Sequence, residues 1–249
     1  MLRSAFAAFL VTFAFVPASA QVIQWTRQFG TTGTDAANAV ATAPNAVYSA
    51  GEVTNGAFPG VTNAGRTDAF VTKLDLDGNL IWSRQFGTSE ADIAHGVAAD
   101  ATGVYVVGET RAGLQGASAG EADIFVRKYD PNGNVLWTRQ FGGPADDIAY
   151  GAAVDSTGLY VAGQFAGVLP GQTGNGAGNV DGFVRKYDFS GNELWTRQFG
   201  TVDADEVFGI AVDSSGVYVM GDTGGELVAP RVGGTDIFVR KFDTSGNTV

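Results

Sequence analysis

The chain of 249 residues has no cysteine, one histidine and two methionines. Without cysteine there are no disulfides, no thiol nucleophile and no thiolate metal centre, so any stability outside the cytoplasm has to come from packing. A single histidine, His95, excludes multi-histidine metal sites. Basic residues are also scarce. Lys and Arg number 15 against 26 acids, for a formal charge of −11, and such a surface repels phosphate backbones, which argues against a nucleic-acid partner. Sustained apolar periodicity of 3.6 residues is missing, as is any apolar run comfortably long enough to cross a bilayer.

The first twenty residues carry the one distinct compositional segment. Arg3 precedes a mostly apolar stretch, Ala5 to Val16, followed by Ala18-Ser19-Ala20. This is the pattern of a secretory signal peptide. The expectation is removal of residues 1–20, export of residues 21–249 to the cell surface, periplasm or medium, and no stable membrane insertion.

What is present is repetition. Trp-Thr/Ser-Arg-Gln-Phe-Gly begins at Trp25, Trp82, Trp137 and Trp195, the only tryptophans, with spacings of 57, 55 and 58 residues. A period of that size marks stacked supersecondary units that cannot bury their apolar faces alone. In the third unit, Ile148 to Val154 is a short apolar run ending at Asp155. A Ser-Thr-Gly turn leads into Leu159 to Gly163. A Gly-rich loop then precedes Gly182 to Tyr187, and Ser190-Gly191-Asn192 turns the chain into Leu194 to Phe199. Short β-rich runs separated by tight turns form an antiparallel meander. Runs apolar on both faces, such as Ile124 to Val126, suit sheets stacked face to face. The expected fold is all-β, a β-propeller of four-stranded antiparallel blades with four blades in residues 21–249.

The strings Asp205 to Val219 and Asp236 to Asp243, with the Trp-Thr-Arg-Gln-Phe-Gly motif before them, resemble the bacterial beta-propeller repeat family labelled SBBP. The resemblance covers nearly all of residues 22–249 and implies the propeller fold. The family name implies seven blades, whereas this chain holds material for four. Two arrangements follow: a closed four-blade ring in which Val22 to Phe29 completes the last sheet as a clasp, or an arc of a larger propeller.

Two sets of aspartates recur. Asp35, Asp92, Asp147 and Asp205 stand six residues after each repeat phenylalanine, and Asp68, Asp123, Asp181 and Asp236 precede each third strand. In a meander both sets fall at one end of the sheets. The eight are candidate ligand-binding carboxylates for a polyol or a cation, with calcium the candidate ion and no other cofactor or metal centre expected. The competing reading is turn capping onto backbone N–H groups, which suits residues present in every unit. Asp75-Leu-Asp77-Gly78-Asn79 has the look of a calcium loop but lacks the distal Glu, so a hairpin turn is the better reading. Arg27, Arg84, Arg139 and Arg197 share a strand face with Trp and Phe, a cation–π arrangement. Gly116 to Gly120 matches G-x-S-x-G around Ser118, yet sits in a loop between strands and not on a strand-to-helix elbow.

The unlike acids Glu90, Glu121, Asp146, Asp203 and Glu206 break the repeat. The reading favoured by the sequence is an exported, non-enzymatic scaffold or binding protein. It would recognise protein or carbohydrate through the variable loops Thr54–Arg66, Thr110–Glu121, Phe165–Val180 and Thr223–Gly234. The alternative is a carbohydrate-active hydrolase or lyase using unlike carboxylates in the central funnel.

Overall fold

The computed structural model describes residues 24–169, 171–172 and 180–249, so the signal-peptide expectation lies outside the described residues. Fifteen strands and no helix fill them. The first sheet comprises β1 (Thr34–Ala43), β2 (Ala46–Thr54), β3 (Thr67–Leu74) and β4 (Leu80–Phe86). The second comprises β5 (Asp92–Asp100), β6 (Gly103–Thr110), β7 (Asp123–Tyr129) and β8 (Val135–Phe141). The third comprises β9 (Ile148–Asp155), β10 (Gly158–Ala166), β11 (Val180–Tyr187) and β12 (Glu193–Phe199). The fourth has three strands, β13 (Asp205–Asp213), β14 (Gly216–Thr223) and β15 (Asp236–Phe242). Each is an antiparallel meander in chain order.

Sheets stack through their first strands, β1 on β5, β5 on β9 and β9 on β13, while the inner strands of each sheet lie over the first strand of the next. Apolar cores form at the three seams so created. Tyr48, Val71 and Trp82 meet Val97, Val104 and Phe125 at the first. Tyr105, Ile124 and Val126 meet Leu159 and Phe183 at the second. Tyr160, Val184 and Phe199 meet Val207, Val217 and Phe238 at the third. Burying apolar area at about 25 cal/mol per Å² makes these seams the main source of stability in a protein without disulfides.

The repeat motif is the outer strand of one sheet and also the latch onto the next. The Trp82 indole N–H donates to the Pro131 carbonyl at 3.1 Å, and the Arg84 guanidinium donates to Gly133 O at 2.7 Å. Trp137 and Arg139 make the same bonds to Phe189 and Gly191, and Trp195 and Arg197 make them to Thr244 and Gly246. The acceptors lie in the turn between third and fourth strands. Gly191 there has φ +79°, and a Cβ on it would come within 2.7 Å of the Trp137 ring. Glycine is therefore required both by the turn and by the indole pressed against it. The arginines stack on tryptophan as expected, Arg84 at 5.2 Å from the Trp82 ring, and the carbonyl bonds between sheets are an addition that the strand pattern did not predict.

Among the described residues the clasp is not formed, Val22 and Ile23 lying outside them. Residues 24–30 belong to no strand. Trp25 donates to Leu76 O at 2.9 Å and Arg27 to Gly78 O at 2.9 Å, so the segment latches onto the first sheet's own turn. It thus stands where the outer strand of a preceding sheet would stand, and it pairs with no residue of β15. The four sheets follow one another without closing a ring.

Candidate functional site

Loops joining second to third strands, and those joining one sheet to the next, emerge at the same end of the sheets. The eight repeated aspartates lie at that end, as the meander requires, but they do not form an open acidic face. Asp68, Asp92, Asp123, Asp147, Asp181 and Asp205 are buried, between 0% and 1% exposed. They meet in pairs across each seam. A Cβ on Gly87 would fall 2.6 Å from Asp68 Oδ1 and 2.8 Å from Asp92 Oδ2. Gly142 stands likewise between Asp123 and Asp147, and Gly200 between Asp181 and Asp205. The glycine of the Phe-Gly step at each of the three seams is thus the spacer between two carboxylates.

Five of the six cap backbone N–H groups, and Asp181 accepts the Gln198 amide at 3.0 Å. Asp92 accepts the Thr88 N–H at 2.6 Å and the Thr88 hydroxyl at 2.9 Å. Asp68 accepts the Ala64 N–H at 2.8 Å and the Gln85 amide at 2.9 Å. Asp147 accepts from Gly143 N–H and, at 2.8 Å, from Ala166 N–H. Burial and the facing carboxylate push Asp92 upward, and push Asp147 and Asp181 up to about 6. The terminal members differ: Asp35 and Asp236 are half-buried, each lacking the neighbour that would complete its pair. Asp35 accepts from Thr31 and Asp236 from Val232.

The calcium-like hairpins are turns. The Asp75 carboxylate accepts the N–H groups of Asp77 and Asn79 and the Asn79 amide, and these bonds hold it below the usual carboxylate range. Among the described residues no group of three or more His, Asp or Glu is arranged to hold a metal ion. Ser118 donates to Gly120 O and Asp123, while His95 Nε2 faces Glu109 Oε1 at 3.5 Å. The two are not brought together.

Sequence reading missed a row of unlike residues on the innermost strands. Every first strand carries a β-bulge at one repeated position, where the pairing register skips Asn38, His95, Tyr150 and Phe208 in turn. A bulge re-aims one side chain out of the pleat, so the repeat frame delivers four different groups to equivalent places. The His95 and Tyr150 rings lie 5.3 Å apart, and those of Tyr150 and Phe208 5.7 Å apart. Asn38 donates to Ala94 O at 3.0 Å. Acids flank the row. Arg111 joins Glu109 at 3.7 Å and Asp146 at 3.2 Å. Burial, with Asp222 nearby, raises Glu206, and burial with Glu206, Glu109 and Asp146 raises the Tyr150 phenol. The signal was present in the sequence as the third residue after each first-strand aspartate, the one place in that strand where the units hold Asn, His, Tyr and Phe.

Of the remaining unlike acids, Glu90 and Glu121 are exposed. Asp203 lies 3.9 Å from Arg231 at the third seam. A loop-end cavity of about 600 Å³ opens there, lined by Thr201, Asp203, Glu226, Leu227 and Arg231.

Residues 81–114 and 194–227 match the beta-propeller repeat SBBP. The chain is 31% identical over 181 residues to the regulatory protein FlaEY of Caulobacter vibrioides, an alignment covering 66% of this chain and 19% of that protein. It is 27% identical over 107 residues to an uncharacterised WD repeat-containing protein of Acanthamoeba polyphaga mimivirus, covering 39% of this chain and 8% of that one. This chain therefore spans about a fifth or less of either relative. Two stretches a little over one hundred residues apart, each running from an outer strand through the first hairpin of the next sheet, carry the same signature, that of the beta-propeller repeat SBBP.

Proposed function

We propose that this protein is an exported, non-enzymatic binding scaffold that recognises a protein or carbohydrate ligand at the cell surface through its loop end. The observation carrying this reading is the cavity of about 600 Å³ at the third seam. It sits on a rigid repeated frame but is lined by Asp203, Glu226 and Arg231, which the other seams do not repeat. On the first sheet the corresponding loop packs inward, with Phe58 against Phe70 at 5.5 Å. On the second, Arg111 of that loop closes onto Asp146. Variable polar loops on a shared frame are the usual site of recognition. The partial similarity to a protein named as regulatory is in keeping with a role exercised by binding.

The test is a glycan array and a peptide array probed with the purified chain and with Arg231→Ala and Asp203→Ala. Binding that falls at least tenfold in both variants, with unchanged melting temperature, supports the reading. Binding indifferent to both variants, or absent from both arrays, overturns it.

A carbohydrate-active enzyme is the second reading, supported by the raised Glu206 carboxyl beside Asp222. A general acid needs such a raised group near an ionised one. Release of reducing ends from a polysaccharide panel, abolished by Glu206→Gln, would replace the first reading with this one.

A further inference from the structure

Every second strand carries a glycine at one fixed place, Gly51, Gly108, Gly163 and Gly221, because the bulged first strand presses a carbonyl against it. A Cβ on Gly108 would come 1.9 Å from Ile93 O, and one on Gly163 2.0 Å from Ile148 O. The frame is thus the same in each sheet, but the residue after the glycine is not: Glu52, Glu109, Gln164 and Asp222 follow in turn. Each pairs with the residue two before the bulged Asn38, His95, Tyr150 or Phe208. Two unlike side chains therefore stand together at equivalent places on successive sheets.

The second and third sheets each have a neighbouring sheet on both faces, so the middle seam is complete. By strand alternation Glu109 shares a face with Tyr105 and Val107, and Gln164 with Tyr160 and Ala162, so both turn toward the sheet that follows. Glu109 is 6% exposed and Gln164 8%. Their Oε2 and Oε1 atoms, with His95 Nε2, are shut off from solvent and make no hydrogen bond among the described residues. Leaving such groups buried and unmatched is costly. The charged neighbours of Glu109 stand back, His95 Nε2 at 3.5 Å and Arg111 Nη2 at 3.7 Å. Arg111 is partly exposed and is shared with Asp146. Burial, and after it the Glu206, Glu109 and Asp146 carboxylates, push the Tyr150 phenol up, which reports a negative potential at that ring.

The unmet need at this seam is for donors. A hydroxylated ligand would ask for donors in return, and Arg111 is already engaged. A metal ion would ask for converging oxygens, and no three acids among the described residues are so arranged. An organic cation brings N–H groups for the orphaned oxygens and a charge for the aromatic faces. We infer that the middle seam binds an ammonium or guanidinium on an aliphatic stem, with Glu109 Oε2 and Gln164 Oε1 accepting its N–H groups and the Tyr150 ring facing its charge. Arg111 is the internal competitor, since it partly neutralises Glu109 and Asp146 until the incoming cation displaces it. The site lies on the innermost strands, away from the loop-end cavity of the third seam, and stands independently of the binding role proposed for that cavity.

The test is titration calorimetry of the full-length chain at physiological salt with putrescine, its neutral diacetyl analogue, and an acetylated, amidated Lys-Gly-Lys peptide. The inference expects a cation to bind and the neutral analogue not to. Glu109→Gln and Tyr150→Leu should each weaken binding by about tenfold or more, the scale of a lost charge-assisted hydrogen bond. Arg111→Ala should strengthen it, while Glu121→Gln and Asp203→Ala leave it unchanged. Tighter binding of the diamine assigns the source to a free polyamine, and tighter binding of the peptide assigns it to a basic side chain of a partner; either supports the site. No binding of either cation, equal binding of the neutral analogue, or an equal loss from Glu121→Gln would overturn it. Should the melting temperature of Glu109→Gln fall, Arg111→Ala decides, because that change removes only a partly exposed side chain: unchanged or weaker binding overturns the inference.

Discussion

The second sheet and the fourth are written in nearly the same letters, Asp-Ile-Phe-Val-Arg-Lys in both third strands, yet Ile124 is 0% exposed and Ile237 91%. The difference owes nothing to local propensity, since both segments are strands of the same length in the same register with their second strands. It arises because one sheet has a neighbour on its outer face and a fourth strand on its edge. A repeat encodes a surface that expects a partner, and burial is supplied by the partner.

The sharpest way to break this comparison is a matched pair of substitutions. Ile124→Ala should cost about 2–5 kcal/mol, the usual cost of emptying a core isoleucine, whereas Ile237→Ala in the monomer should stay within about 0.5 kcal/mol. Denaturant melts of the two at concentrations too low for association decide it. Equal losses would mean that the fourth sheet is covered after all.

A second contrast lies between the buried carboxylate pairs and the exposed turn aspartates. Asp147 and Asp181 are pushed up to about 6, so the folded chain holds their protons more tightly than the unfolded chain. The stability this gives is complete below about pH 4 and is lost as the pH rises toward 6. At about 1.4 kcal/mol per pH unit, each group accounts for on the order of 2–3 kcal/mol at most. Melting temperature should therefore fall between pH 4 and 6.5, and Asp147→Asn with Asp181→Asn should flatten that slope. The turn groups Asp75, Asp130, Asp188 and Asp243 are held low. Their sign is opposite, with stability lost only as the pH falls below the normal carboxylate range, so they leave this window untouched. A slope that survives both substitutions would show that the seam carboxylates are ionised throughout.

The smallest expected effect concerns the bulge row. Arg111 is partly exposed, and its pairing with Glu109 and Asp146 should contribute about 0.2–1 kcal/mol, falling with added salt. A double-mutant cycle of Arg111→Ala with Asp146→Ala measures the coupling. A value near zero would leave the network as a surface feature without structural weight.

Much of the fold was legible because the repeat aligns itself. Four copies of Trp-Thr/Ser-Arg-Gln-Phe-Gly located the outer strands, and Asp-x-x-Gly-Asn located the turns they grip. The latch between the two was not legible, because it joins residues about fifty positions apart through side-chain-to-carbonyl bonds. The aspartates were legible as a set but not as pairs: sequence placed Asp123 and Asp147 at one end of two strands, and only stacking brought them to either side of Gly142. The bulges at Asn38, His95, Tyr150 and Phe208 were hidden, since one inserted residue barely disturbs an Ala- and Gly-rich strand pattern.

By itself the sequence determined that this protein is all-β, repeats its unit four times and relies on packing, because period, turn residues and the lack of cysteine are local properties. Tertiary structure decided which carboxylates are buried, which unlike residues line the innermost strands, and that the series of sheets ends open. Those outcomes depend on what each sheet is packed against, and identical strands carry no record of whether a neighbour is there.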